Sequence, residues 1–420
     1  MSKIFSSAKI LLPKGQDMHR WSVVACDQFS SQTEYWESLE KLTGGVPSTL
    51  HLMLPEAYLD KRDQFAEAEK INRRMDEYLA AGIFEETEEC YIYVERRLGS
   101  GAVRRGLMGV LDLEQYDYSA ASVSPIRATE GTVEDRLPPR VRVREGASIE
   151  MPHIMVFIDD AGDTVLGGLE EIKEHLPKLY DFSLNAGGGA VCGYKLTGAD
   201  AEALEKAVDA LSDAETLRER YGDKAPAAFA MGDGNHSLAT AKKCWEKIKE
   251  TLNGEERETH PARYSLVEIV NIHDEAISFE PIHKVVFDTC SENFISEAEK
   301  WWEEQSRASD KSHCISLIAG QQEKRVDVSG LTIGELIGKA EEFCQAYMSR
   351  YGGKIDYIHN DDTAIAMGRR EGCACMLLPK MEKGELFPSI IESGPFPKKS
   401  FSIGHAEDKR YYLECRKIKG

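Results

Sequence analysis

The chain has 420 residues, 42% hydrophobic and 30% charged, and a formal net charge of −20 from 52 basic and 72 acidic side chains. Length and composition exclude a disordered chain, a fibrous repeat and a single small core, and predict two or three domains. The negative field repels nucleic acid at long range, so nucleic acid is not an expected partner.

Residues 1–9 carry no apolar signal core, and no window approaches the ~18 apolar residues of a membrane span. There are ten scattered cysteines and no Cys-x-x-Cys pair. That usage predicts a reducing, cytoplasmic setting, no membrane partner and mostly buried thiols. Nothing in the sequence fixes an oligomeric state.

In chain order, residues 21–27 read as a buried strand ending in Asp27, and 31–42 as a helix. Residues 55–82 read as one long helix, with Leu59, Phe65, Ala68, Ile71, Met75 and Leu79 on one face. Residues 90–97 and 103–113 read as paired strands joined by the Gly99-Ser100-Gly101 loop. A polar stretch, 124–144, carries Arg127, Glu130, Thr132, Asp135 and Arg136. Residues 153–158 read as a strand begun by a structural His153, 168–176 as a helix, and 178–196 as strand-rich. Residues 199–220 form one amphipathic helix in this reading, and 264–272 a strand. Beyond 290 the pattern gives helices at 291–305 and 333–350, strands at 314–318 and 324–328, and short strands from 355 onward. The expected fold class is α+β (mixed α/β). A main domain spans 1–300 and a smaller, strand-rich α+β domain 301–420, with a soft boundary at 290–312.

The strongest local signal is an apolar run, Ala225 to Met231, entering Gly232-Asp233-Gly234-Asn235-His236-Ser237 and then a helix. Glycines let the backbone approach a ligand. A helix start offers unpaired N–H groups and partial positive charge, which together favour an anion. Asp233 has the chemistry to bind a metal, orient a hydroxyl or accept a proton. Asn235 and His236 can hydrogen-bond a ligand, and Ser237 can cap the helix. The competing explanation is a plain strand-to-helix turn.

This turn resembles the Asp-Gly-His-His-Arg motif of the bacterial and archaeal family called domain of unknown function 1015. Asp233, Gly234 and His236 match it, while Asn235 and Ser237 depart from it. Other landmarks follow in the family's order. Asp27 ends a segment similar to Pro-Tyr-Asp; Glu130, Thr132 and Arg136 resemble a His-Glu-x-Thr segment and its following Arg. Pro281-Ile282-His283-Lys284 resembles Pro-Thr-His-Arg, and Pro397-Lys398-Lys399-Ser400 resembles the Met-Pro-x-Lys-Ser ending. A weaker resemblance is to ParB-like proteins, with relatives that look like nucleotide-dependent kinases of free serine. It implies, by analogy, a ParB-like nucleotide-binding core in which a similar motif at a helix N-terminus holds nucleotide phosphates.

The resemblance implies a small-molecule or nucleotide ligand. One expectation is a phosphotransferase, in which Asp233, His236, Glu130 and Asp27 are the catalytic candidates. Gly234, Asn235, Ser237, Arg127, Thr132, Arg136, His283, Lys284, Lys398, Lys399 and Ser400 are then the ligand-binding candidates. Phosphoryl transfer implies Mg2+ with ATP or ADP, although no residue pattern fixes a cofactor. The alternative is a non-catalytic sensor of a nucleotide or phosphometabolite. Ser237 favours it, because the family has a phosphate-suited Arg there.

Overall fold

Alternation along the strands builds the larger part of the molecule. In strand Phe84–Arg97, Ile92 and Val94 enter one hydrophobic core while Tyr91 and Tyr93 enter another. Side chains two apart share a face of a sheet, so one strand feeds a core on each side. The computed structural model describes residues 3–30, 32–58, 61–132, 134–151 and 153–419, with the side chains of Asp27 and Glu56 outside that description.

The chain divides into two compact units. The first comprises Met1–Ala128, Thr132–Ile277 and His405–Gly420; the second comprises Thr129–Gly131 and Ser278–Gly404.

The first unit is organised on an 11-stranded mixed sheet. Its main path runs Lys178–Ser183, Ala190–Leu196, Phe84–Arg97, Val103–Asp112, Tyr264–Asn271, Met155–Ile158, Phe229–Asp233, Ile126–Arg127, Tyr116–Asp117. The first five strands of this path are antiparallel to their neighbours. Tyr264–Asn271 then pairs in parallel with Met155–Ile158, and Phe229–Asp233 pairs antiparallel with Met155–Ile158. The 98–102 segment closes the expected hairpin, with Leu98 N–H donating to the Ala102 carbonyl.

Several helices differ from their expected bounds for local reasons. The long helix spans Gln64–Ala80, because the Asp63 carboxylate accepts from Phe65 N–H and Ala66 N–H and fixes its start. The 199–220 pattern is two helices, Gly198–Ser212 and Ala214–Tyr221, because Asp213 ends the first and caps the second. The polar stretch contains a helix, Leu137–Gly146, whose prolines sit in the first turn where their missing N–H costs nothing.

The second unit holds an antiparallel five-stranded sheet, ordered Gln322–Ser329, Ser312–Ala319, Ala374–Leu377, His283–Phe287, Lys354–Ile358. Helix Ile333–Tyr351 begins at a reciprocal cap between Thr332 and Glu335 and buries Leu336, Ile337, Ala340 and Phe343. After residue 355 the chain is less strand-rich than its pattern suggests, since Asp361–Gly368 and Leu386–Ser393 are helices. None of the ten cysteines is in a disulfide, and Cys290 and Cys314 are exposed, against the expectation of burial. No helix among the described residues is long and apolar enough to cross a membrane.

Candidate functional site

The Gly232–Ser237 segment is a strand-to-helix turn. Strand Phe229–Asp233 is buried up to Gly232, and its register with Met155–Ile158 shifts between Met231 and Asp233. A Cβ on Gly232 would stand 2.9 Å from the Phe157 ring. Gly234 adopts φ +81°, and a Cβ there would lie 3.1 Å from the Ile154 Cα. Both glycines are therefore demanded by space or by backbone conformation. The chain passes straight into helix Asn235–Lys249, anchored by Leu238, Ala239, Ala241, Cys244 and Trp245. Its N-cap residue is Gly234, which has no side chain to cap it. The N–H groups of Ser237 and Leu238 donate to the Gly234 carbonyl, and Gly234 N–H donates to Asp233 Oδ1 at 2.8 Å.

Around Asp233 the fold assembles groups that the motif does not contain. Lys409 Nζ lies 3.6 Å from Asp233 Oδ2, which is itself buried and accepts no hydrogen bond from the described residues. Asn235 Oδ1 is likewise buried and accepts none from them. Burial pushes the Asp233 carboxyl up, but the Lys409 ammonium, His153 and the Gly234 N–H more than offset this and hold it below the usual carboxylate value. His153 Nδ1 shares a 2.5 Å hydrogen bond with the Tyr412 hydroxyl, and the two rings are 5.0 Å apart. Burial, with Asp233 and Cys26 adding to it against Arg140, raises the Tyr412 phenol, so it keeps its proton.

Lys409 and Tyr412 come from the chain's C-terminal segment. Tyr411–Tyr412 pairs with Val23–Val24. Two buried arginines, opposite one another on the Phe84–Arg97 and Val103–Asp112 strands, hold the approach. Arg96 donates to the carbonyls of Gly188 (3.0 Å), Glu407 (2.6 Å) and Lys409, and Arg104 to that of Asp408 (2.8 Å). A buried guanidinium donating to backbone carbonyls fixes the path of that backbone, and with it the place from which the Lys409 side chain departs. Lys409, Tyr412, Arg96 and Arg104 carry no recognisable local motif. His153, expected to be structural, joins them beside Asp233.

The remaining expected residues divide between the units. In the first, Arg127 is buried and donates to the carbonyls of Ser124 (2.8 Å) and Ala225. Thr132 Oγ1 is buried without a hydrogen-bond partner among the described residues. Arg136 is exposed and precedes helix Leu137–Gly146. The Asp27 side chain lies outside the described residues, though its backbone begins a short 3-10 turn, Asp27–Phe29. In the second unit, Glu130 bridges to Phe396. His283 is 1% exposed; its Nδ1 accepts from Leu378 N–H at 3.1 Å and its Nε2 meets Asp361 at 2.8 Å. Lys284 is wholly buried and donates to Glu341 at 2.6 Å. Lys398 is exposed, Lys399 takes φ +56° with its ammonium 4.8 Å from the Tyr357 ring centre, and Ser400 donates to the Pro397 carbonyl at 2.6 Å.

Comparison with solved structures returns distant likenesses. A conserved hypothetical protein from Pyrococcus furiosus aligns at 11% identity over 74% of this chain and 94% of that one, with a TM-score of 0.32. SbnI with a C-terminal truncation, from Staphylococcus aureus, aligns at 11% identity over 71% and 82%, with a TM-score of 0.34. A free serine kinase in complex with AMP aligns at 10% identity over 74% and 90%, with a TM-score of 0.34. Likenesses this faint carry no conclusion about this chain. No curated protein matches it. The profile of the family described as protein of unknown function (DUF1015) matches residues 8–341, well over half of the sequence, and the chain belongs to that family.

Proposed function

We propose that the protein binds the phosphates of a nucleotide at the start of helix Asn235–Lys249 and transfers a phosphoryl group to the hydroxyl of a small metabolite. The observation that carries this reading is the Lys409 ammonium 3.6 Å from Asp233 Oδ2, beside a helix start whose N-cap residue is Gly234. Helix N–H groups and a lysine are the parts that hold and neutralise phosphates in phosphoryl transfer. Among the described residues no three His, Cys, Asp or Glu side chains gather to hold a metal. A magnesium ion arriving with phosphates needs only one or two protein carboxylates, and the buried Asp233 Oδ2 fits that part. When bound, such an ion would neutralise charge developing on the phosphates. In this reading a carboxylate other than Asp233 receives the hydroxyl proton, and Asp27 is the candidate that the sequence offers within the same unit.

A second reading is a sensor that binds the nucleotide without turning it over, and Ser237, standing where the family has a phosphate-suited Arg, favours it. A thermal-shift series with ATP, ADP and Mg2+ reads binding, because a ligand that prefers the native state raises its melting temperature. Phosphorus NMR of ATP with serine and other hydroxyl metabolites reads transfer. The kinase reading expects both signals, with both reduced in Lys409→Met. A thermal shift without ADP or AMP formation favours the sensor. No shift with any nucleotide overturns both.

A further inference from the structure

A cavity of about 520 Å³ lies in the first unit, beside helix Gln64–Ala80 and away from the Asp233 turn in sequence. Small-molecule pockets commonly enclose about 300–1,000 Å³. Its apolar wall includes Pro47, Leu50, Met53 and Ile71. One side is pinned: Ser48 Oγ and Thr49 Oγ1 donate to the Trp21 carbonyl at 3.2 and 2.8 Å, fixing the turn that carries Leu50 and His51.

The Tyr78 hydroxyl accepts from Ser48 N–H at 3.2 Å and shares a 2.9 Å hydrogen bond with His51 Nδ1. Directing its own proton to His51 Nδ1 satisfies the hydroxyl in both roles. His51 Nδ1 is then an acceptor, which leaves the proton of the neutral ring on Nε2. Burial first, then Arg74 and Lys70, hold His51 below its ordinary value, with Glu40 opposing, so the ring stays neutral. His51 thus offers a single N–H donor.

The cations around the cavity are weakly engaged. Arg62 lies 3.8 Å from the Tyr58 ring centre and is shared between Glu40 (3.4 Å) and Glu67 (3.5 Å). Lys70 reaches Glu67 at 3.6 Å, and Arg74 reaches Glu77 at 3.1 Å within its own helix. These pairs are largely exposed and contribute little to stability. Their cations can therefore turn to a bound anion at small cost. Glu40, Glu67 and Glu77 also line the cavity, each paired with one of these cations, but beside His51 the charges of Arg74 and Lys70 outweigh that of Glu40, so an ammonium ligand placed there would face net positive charge.

We propose that this cavity binds a small apolar molecule carrying one carboxylate. The apolar body packs against Leu50, Met53 and Ile71; the carboxylate takes the His51 Nε2–H and meets Arg74 and Lys70. The proposal is independent of the nucleotide reading.

Calorimetric titration of the full chain with naphthylacetate, its uncharged amide, and naphthylmethylammonium tests it. The acid should bind, the amide bind about fivefold more weakly, and the ammonium not at all. Arg74→Gln, at an exposed position, should remove the preference for acid over amide, while Met53→Trp should fill the cavity and abolish binding. Should Met53→Trp fail to fold, Arg74→Gln decides by itself. Asp233→Asn should leave naphthylacetate binding unchanged, which separates this site from the nucleotide turn. Absence of acid binding at millimolar concentration, equal binding of acid and amide, or an acid preference that survives Arg74→Gln overturns the proposal. So does competition of ATP with naphthylacetate.

Discussion

Asp233 shows how a single side chain can be legible in role and illegible in environment. Its place at a strand end before a glycine marks it from sequence. What decides its chemistry is Lys409, 176 positions later in the chain, and no spacing rule reaches that far. The consequence can be read against pH. The folded carboxyl lies below its ordinary value of 3.8, so the native state binds this proton less readily than the unfolded chain does. The stability it contributes is whole above that ordinary value and is lost as pH falls through the lower folded value. Asp233→Asn lacks this component. Melting temperatures of the two proteins, followed from about pH 6 to about pH 3, should therefore converge on the acid side. A gap that stays constant across that range would show that the carboxylate draws nothing from Lys409. The surroundings of His153 are hidden for the same kind of reason: an apolar strand beside it suggests packing, and its Tyr412 partner is remote in sequence.

At the scale of elements, most strands and helices were readable wherever period and punctuation agree. The hairpin 90–112 and the strand at 264–271 follow their patterns closely. The pattern failed where a cap overrides it. Asp213 splits one amphipathic run in two, and prolines that suggest a loop instead open the Leu137–Gly146 helix. The turn at Gly234 shows the same local logic and can be tested. Gly234→Ala must hold a left-handed residue, which costs about 1–2 kcal/mol, and also crowds Ile154 at 3.1 Å. Gly82, at φ +67° with nothing within 4 Å of its would-be Cβ, carries only the first penalty. Urea denaturation should place Gly234→Ala below Gly82→Ala in stability. Equal losses would mean that the backbone conformation, and not the close approach of Ile154, is what the turn requires of this glycine.

For the whole molecule, the feature least visible in sequence is the return of residues 405–420 to the first unit. Its short strands are each two residues long, pairing Tyr411–Tyr412 with Val23–Val24 and Arg416–Lys417 with Ile149–Glu150. Runs this short have no period to detect. Their contribution comes from burial instead: Tyr411, Leu413 and Cys415 are fully enclosed, and Arg410 lies between Glu268 and Glu414 with essentially no exposure. A buried ion pair adds little net stability, yet removing one partner leaves a charge stranded and costs about 3–5 kcal/mol. A chain ending at Gly404 strands Glu268 and also empties part of the core. Its first unit should lose cooperative unfolding, and hydrogen exchange should show strand Tyr264–Asn271 deprotected while Ser312–Ala319 keeps its protection. Arg410→Met separates the two contributions, because it strands Glu268 while leaving the apolar side chains in place. A variant as stable as the parent would mean that the enclosed apolar side chains, and not the ion pair with Glu268, hold this segment in place.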